Sequence, residues 1–274
     1  MISSLFKRQK AHVSSTWRVA LVAIFLVMLV LNGLAGSTTL LGGQNTANVS
    51  DSYPNLFAPA GLTFAIWGVI YTLLVGFCLY VWGVGRSKKS VLKAVQLEKI
   101  TKLMTLNFAA NAAWILAWQY EVLWLSVLLI TTILVTLILV VQVLRDIELP
   151  AKEYALARLP VSVYLGWISI ATVANITVFL VSIQWNGWGV AEIAWTIFVL
   201  IFAMLVGFVT AQRNNDIAYL LVFVWAYFGI LFKHVSPAGY DGQYQSVIIA
   251  LTILLAVLAS QILSLASPLV AKRR

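Results

Sequence analysis

Three apolar stretches of the chain carry tryptophan and asparagine side chains at positions where aliphatic residues would serve equally well. An indole ring can stack on a flat aromatic molecule, and an amide or a phenol can hydrogen-bond to the polar edge of such a molecule. Inside a bilayer neither lipid nor water satisfies these groups, so they should face other helices or a ligand. Contacts between helices, or the non-covalent binding of a small molecule, would satisfy them.

Helical periodicity places these side chains on one face of each helix. Trp67 and Tyr71 are four residues apart, and Trp67 lies about 12 Å along a helix that starts at Pro59. The second set, spaced i, i+4, i+7 and i+11, consists of Asn107, Asn111, Trp114 and Trp118. The third set, spaced i, i+3, i+7 and i+11, consists of Tyr164, Trp167, Ala171 and Asn175.

Three helices with unsatisfied polar groups satisfy them most easily by facing one another, since each group turned to lipid costs about 1–3 kcal/mol. We therefore expect these faces to line one intramembrane cavity. The alternative is a tightly packed cluster of amides and indoles that leaves no room for a ligand. The residues predicted to contact a ligand are Trp67, Tyr71, Asn111, Trp114, Trp167, Ala171 and Asn175.

The composition places the chain among integral membrane proteins. Its residues are 62% hydrophobic and 10% charged, whereas soluble domains carry roughly 25% charged residues. Apolar runs long enough to cross a hydrocarbon core of about 30 Å as helices lie at 19–41, 59–82, 103–120, 122–144, 157–183, 190–211, 217–233 and 246–268. We predict an all-α integral membrane protein with eight transmembrane helices.

The distribution of basic residues predicts the orientation. If the N-terminus is cytoplasmic and the eight spans alternate, 17 of the 18 basic residues fall on the inner side and only Lys233 lies outside. This positive-inside bias predicts cytoplasmic N- and C-termini. We expect the membrane to be the cytoplasmic (plasma) membrane of a bacterium. We expect the basic face to bind anionic lipid headgroups, not nucleic acid.

Two further segments suggest contacts. The outer loop 42–58 carries Tyr53, Leu56 and Phe57, and it either caps the helix bundle or is an ordinary loop whose aromatic residues anchor at the interface. The small residues Ala109, Ala113 and Ala117 share one face of the third helix. Such a face allows close approach of another helix, within the bundle or in a homodimer.

The motifs in the second, third and fifth helices resemble those of the TspO/MBR family, also called tryptophan-rich sensory proteins or translocator proteins. They are Pro59 with Trp67 and Tyr71, Asn111-Ala-Ala-Trp114, and Tyr164-Leu-Gly-Trp167 followed by Ala171-Thr172 and Asn175. The resemblance covers residues 17–183 and implies a five-helix bundle there. It leaves a basic cytoplasmic arm at 1–16 and a three-helix extension at 184–274.

The resemblance also implies a function. Members of that family bind porphyrins, and in some cases sterols, in a pocket walled by these helices and covered by the first loop. A membrane receptor or carrier for a tetrapyrrole such as protoporphyrin is therefore expected, with no required cofactor, metal or catalytic residue. A small-solute permease and a light-dependent porphyrin-degrading enzyme are the alternatives. The near absence of ionisable residues from span centres argues against coupled transport.

Overall fold

The computed structural model describes residues 13–87 and 90–271, with the side chains of 268–271 excepted. The predicted basic arm therefore lies outside the described residues except for 13–16, as do Lys88, Lys89 and residues 272–274. Eight long helices and one short helix form the described part of the chain, which contains no strand. They are α1 (Ser15–Ser37), α2 (Thr46–Asp51), α3 (Ile66–Val81), α4 (Ala94–Gln119), α5 (Leu123–Leu144), α6 (Leu159–Ser182), α7 (Glu192–Asn214), α8 (Ile217–Val235) and α9 (Gln245–Ala271).

The all-α membrane class is confirmed. Among the described residues, seven helices are long and apolar enough to cross a membrane, where the sequence predicts eight. The difference is α4, which contains the predicted span 103–120. Its first turns carry Glu98, Lys99 and Lys102, and its remaining length carries Asn107 and Asn111, so its composition is less apolar.

Five helices close into a ring. α4 packs between α1 and α5, α5 packs against α6, and α6 packs against α3, which in turn contacts α1. The polar residues of α4 are buried at its contacts with neighbouring helices. Asn107, for example, donates from Nδ2 to the Thr136 hydroxyl of α5 at 2.8 Å and to the Ile133 carbonyl oxygen at 3.0 Å. A helix whose polar groups bond to its neighbours can lie within the ring despite its composition.

The face of α4 that carries the three alanines is only partly buried inside the ring. Ala117 is buried, Ala109 is half-buried and Ala113 is exposed. Of the two expectations for this face, close packing within the bundle therefore holds only near Ala117.

The three C-terminal helices dock onto the ring through α8. α8 packs against α6, and both α7 and α9 pack against α8. The Trp225 indole of α8 donates to the Thr63 carbonyl oxygen at 2.9 Å, in the 3-10 turn Gly61–Ala65 that leads into α3. Gly229 of α8 accepts a backbone hydrogen bond from Ala60 and lies directly against Thr63. The extension is thus joined to both α6 and the start of α3.

Two buried charged residues hold the end of the bundle where α3 ends and α4 begins. Glu153 accepts a hydrogen bond from the Tyr80 hydroxyl at 2.7 Å. Arg158 donates to the backbone oxygens of Leu144 and Asn214, each at 2.8 Å. Leu144 and Asn214 are the last residues of α5 and α7. Glu153 and Arg158 therefore link the ends of α3, α5 and α7. This end of the bundle is called the basic end below.

The contact at Gly229 predicts a stability effect. A Cβ at this position would lie 2.0 Å from Thr63 Oγ1 and 2.8 Å from Thr63 Cβ, so rotation of the threonine cannot relieve the clash. We expect Gly229→Ala to destabilise the protein by about 1–3 kcal/mol, the usual cost of overpacking. Thermal unfolding of purified protein in detergent measures it.

Gly33→Ala is the matched control, because a Cβ there has no neighbour within 4 Å. This helical substitution should leave the melting temperature unchanged or raise it slightly. Equal melting temperatures for the two variants would contradict the packing of α8 on the α3 entry.

Candidate functional site

Five aromatic side chains meet at the centre of the ring and form what is here called the central cluster: Trp67, Tyr71, Trp114, Tyr164 and Trp167. The Trp67 ring is stacked on Tyr71 with a centroid separation of 5.4 Å and an interplanar angle of 18°. Its centroid is also 5.9 Å from those of Trp114 and Tyr164 and 6.2 Å from that of Trp167. Trp67 and Tyr71 are half-buried, whereas the other three are buried.

A hydrogen-bond chain crosses the ring through Asn111. Asn32 of α1 donates from Nδ2 to Asn111 Oδ1 at 2.8 Å. Asn111 in turn donates from Nδ2 to the Tyr164 hydroxyl of α6 at 2.7 Å. All three side chains are buried, so α1, α4 and α6 are linked by bonds that water does not weaken.

A second chain runs beside it. The Trp114 indole donates to Asn175 Oδ1 at 3.0 Å, and Asn175 donates from Nδ2 to the Ser126 hydroxyl at 2.8 Å. The Ser126 hydroxyl in turn donates a hydrogen bond to the Leu123 carbonyl oxygen within α5 at 2.8 Å. The orientation of Trp114 is therefore fixed by α6 and α5 together.

The structure brings the predicted residues together on three helices. Asn111, Trp114, Trp167 and Asn175 are buried, and Ala171 is half-buried one turn beyond Trp167 without adding a polar group. Sequence reasoning missed Asn32 and Ser126, which complete the two hydrogen-bond chains. Each is a polar residue inside an apolar run, the signal that could have revealed it.

Two donors of the central cluster have no hydrogen-bond partner among the described residues. They are the Trp167 indole N–H and the Tyr71 hydroxyl, and the atoms are inaccessible to water. Both lie beside the Trp67 ring, which contacts each of the two side chains. Unpaired buried donors are costly, and a bound acceptor group would satisfy them.

The segment 42–58, called the lid below, lies across one end of the ring. The Trp118 indole donates to the Thr46 carbonyl oxygen at 3.2 Å. Gln119 donates from Nε2 to the carbonyl oxygens of Leu41 and Gln44 at 3.1 and 2.7 Å. These bonds attach the lid to the end of α4, one turn from Trp114.

Tyr53 adds a contact between the lid and the turn after α4. Its hydroxyl donates to Glu121 Oε2 at 2.6 Å. This hydrogen bond, burial and the negative charge of Glu121 raise the pKa of Tyr53 to about 12. Tyr53 therefore remains protonated, and able to donate, at any physiological pH.

The C-terminal extension holds the lid from its other side. Three side chains near the end of α8 and in the following loop reach lid residues. The pairs are Lys233 Nζ with Asp51 Oδ1 at 2.6 Å, His234 Nε2 with the Leu56 oxygen at 2.9 Å, and the Tyr240 hydroxyl with the Asn55 oxygen at 2.9 Å. The position of the lid thus depends on helices outside the five-helix ring.

An open cavity of about 660 Å³ lies next to the lid, between α6 and α7. It is called the outer cavity below, and none of the seven predicted ligand residues lines it. Its α6 wall includes Leu180, which at 100° per residue lies about 140° around the helix axis from both Trp167 and Asn175. The aromatic side chains of the central cluster contact one another.

The comparisons with known proteins agree with this architecture. A family model of TSPO-like proteins matches residues 18–264. The chain belongs to the TSPO-like protein family. The match extends from the ring into α9, so family membership includes the three-helix extension as well as the motifs in 17–183. No curated protein and no solved structure matches the chain.

Family membership and the apolar helices together make this an integral membrane protein of the TspO family. Its motif residues now have structural roles, because Asn111, Trp114 and Tyr164 form bonds between helices.

We expect Asn111→Ala to destabilise the fold. The substitution leaves the Tyr164 hydroxyl without its donor in the ring interior, at a cost of about 1–3 kcal/mol for an unsatisfied group. It also removes one of the two acceptors of Asn32 Nδ2, which keeps the Met28 carbonyl oxygen. The free energy of unfolding in mixed micelles, compared with wild type, measures the effect.

The control for this prediction is Asn48→Ala, at an exposed position of the lid. Its effect should be small, about 0.5 kcal/mol or less. If Asn111→Ala were no more destabilising than this control, the hydrogen-bond chain across the ring would carry no stability.

Proposed function

We propose that this TSPO-like protein is a membrane receptor or carrier that binds a flat hydrophobic molecule, with a tetrapyrrole such as protoporphyrin as the first candidate, at the central cluster. One observation carries the proposal: Trp167 and Tyr71 hold buried donors beside Trp67 that have no partner among residues 13–87 and 90–271. The neighbouring polar groups of Asn111, Trp114 and Asn175 are partnered. A ligand that offers an acceptor, such as a carboxylate or a ring nitrogen, satisfies the two remaining donors.

The half-buried Trp67–Tyr71 pair provides the point of entry. Trp67 presents an indole face that is already stacked on one ring, and a flat ligand binds by replacing that partner or extending the stack. Ala171 is a small residue one turn from Trp167, so it offers little obstruction next to the donor. Opening the lid, held at both edges by hydrogen bonds, gives access from the end of the ring.

The buried amides hold the aromatic rings of the site in place and do not contact the ligand themselves. Asn175 fixes the Trp114 indole, and Asn111 fixes the Tyr164 ring against Trp67. A preformed aromatic wall reduces the conformational entropy that binding removes. The free-energy cost of binding is then limited to breaking the stacking contact between Trp67 and Tyr71.

We also propose eight membrane spans, with the N-terminus and the basic end in the cytoplasm of a bacterial cell. The path of α4 supports this number: it starts at Lys93 near the basic end and finishes at Gln119 under the lid. The distribution of basic residues supports the orientation. Anionic lipid headgroups are then the partners of the cytoplasmic face, and exposed Ala113 is available for a homodimer contact.

Trp167→Phe tests the ligand site. The substitution keeps an aromatic ring but removes the N–H, so the affinity for protoporphyrin IX should fall by about fivefold to tenfold, the value of one buried hydrogen bond. The shift of the porphyrin Soret absorption band during a titration of purified protein gives the dissociation constant. This measurement does not depend on tryptophan fluorescence.

Trp124→Phe is the control, since Trp124 is exposed on α5 and outside the central cluster. It should bind as wild type does, and Tyr71→Phe should weaken binding as Trp167→Phe does. Unchanged affinity in both cluster variants would place the porphyrin elsewhere or exclude it.

The topology is tested by cysteine labelling in a Cys78→Ala background, which removes the one native thiol. A cysteine replacing exposed Asn48 in the lid should react with an impermeant maleimide in intact cells. A cysteine replacing exposed Val91, at the basic end, should react only after the membrane is permeabilised. The reverse pattern would invert the proposed orientation.

A further inference from the structure

The outer cavity is an open, largely apolar space at the junction of the ring, the lid and the extension. Its walls include Leu180 of α6, Phe57 of the lid, and Val199 and Phe202 of α7. Glu192 and Phe202 are ten residues apart on α7, so the cavity extends about 15 Å along that helix. Its volume of about 660 Å³ is in the range of small-molecule sites.

Two tryptophan rings line this cavity close to each other. Trp185 and Trp195 both line it, with ring centroids 5.4 Å apart and planes inclined at 57°. The Trp195 indole donates to the Gly187 carbonyl oxygen at 2.8 Å, which fixes the ring and uses its hydrogen-bond donor. The turn requires glycine, because Gly187 has a φ of +62° and a Cβ there would lie 3.1 Å from Trp195. What Trp195 offers a ligand is therefore its π face.

One negative charge lies in the same place. Glu192 is the only residue with an ionisable carboxylate, amine or imidazole among the residues lining the outer cavity. Glu192 is exposed in the first turn of α7. Its carboxylate has no hydrogen bond or ion pair within the part of the chain that the structure describes, and Lys233 is paired with Asp51. Burial, followed by the negative field of Glu192, raises the pKa of Tyr240 to about 12, which places the carboxylate close to the last outer loop.

We propose that the outer cavity binds a lipophilic monocation, with a quaternary ammonium or similar group at Glu192 and its apolar body between α6 and α7. A cation over tryptophan faces is attracted by their π electrons, and a carboxylate within reach adds to that attraction. The apolar walls below match a hydrocarbon or aromatic body. The same ammonium chemistry is found in free organic cations and in choline lipid headgroups.

This site is independent of the central cluster. The two sites are lined by different residues of α6, and a protoporphyrin carries negative carboxylates, the opposite charge to the ligand inferred here. A variant that loses porphyrin binding can therefore still be tested for cation binding, and the reverse also holds. Trp167→Phe, which alters the central cluster, should not change binding in the outer cavity.

The test uses the full chain in an uncharged detergent with radiolabelled tetraphenylphosphonium as the probe. Tetraphenylborate, which has nearly the same shape and the opposite charge, controls for hydrophobic partition. The protein should bind the phosphonium saturably and the borate much more weakly. Glu192→Gln should raise the dissociation constant for the phosphonium by about tenfold, and Trp185→Leu should also raise it.

Asp241→Asn is the matched control, because it removes one exposed negative charge in the last outer loop without changing the lining of the cavity. Equal loss of affinity in Asp241→Asn and Glu192→Gln would overturn the proposal, as would equal binding of borate and phosphonium. So would unchanged binding in both cavity variants. Melting temperature and elution volume identify a variant that has simply failed to fold.

A competition arm distinguishes the two sources of the cation. Dihexanoyl phosphatidylcholine should displace the phosphonium, while dihexanoyl phosphatidylglycerol should not, if the natural occupant is a choline lipid. If neither lipid competes but tetrabutylammonium does, the occupant is a free organic cation. Competition by phosphatidylglycerol as effective as that by phosphatidylcholine would show that the ammonium group is irrelevant and would overturn the proposal.

Discussion

The need to satisfy buried polar groups on the membrane helices without water organises this structure. Asn111 is completely buried, and it meets that need by accepting from Asn32 on α1 and donating to Tyr164 on α6. A helix that made neither bond would carry an unsolvated amide into the bilayer, at a cost of several kcal/mol. The order of helices around the ring follows, because α4 must lie where both partners can be reached.

The lid shows the same constraint at the membrane surface. Its backbone oxygens are taken up by Trp118 and Gln119 from the ring and by Tyr240 from the extension. The lid is therefore held from two sides, by the ring and by the extension. The three additional helices therefore do more than lengthen the chain, since they supply one edge of the lid and one wall of the outer cavity.

The two faces of α6 have different chemistry. Trp167 and Asn175 face the ring centre, where hydrogen-bond donors and indoles favour a flat ligand with acceptor groups. Ile176 and Leu180 face α7, where Glu192 and two tryptophan faces favour a cation with an apolar body. One helix thus separates two proposed sites whose ligands carry opposite charge.

The sequence alone determined the membrane class, the helical architecture and the convergence of Trp67, Asn111, Trp114, Trp167 and Asn175, because helix period and bilayer thickness are properties of local sequence. It could not identify Asn32 and Ser126 as their partners, since neighbours in a ring depend on how whole helices pack. Whether the centre stays open or fills depends on the summed shapes of side chains from several helices. Tertiary structure alone brought lid residue Phe57, Trp185 and Glu192 around one cavity, because these residues come from distant parts of the chain and no local periodicity relates them.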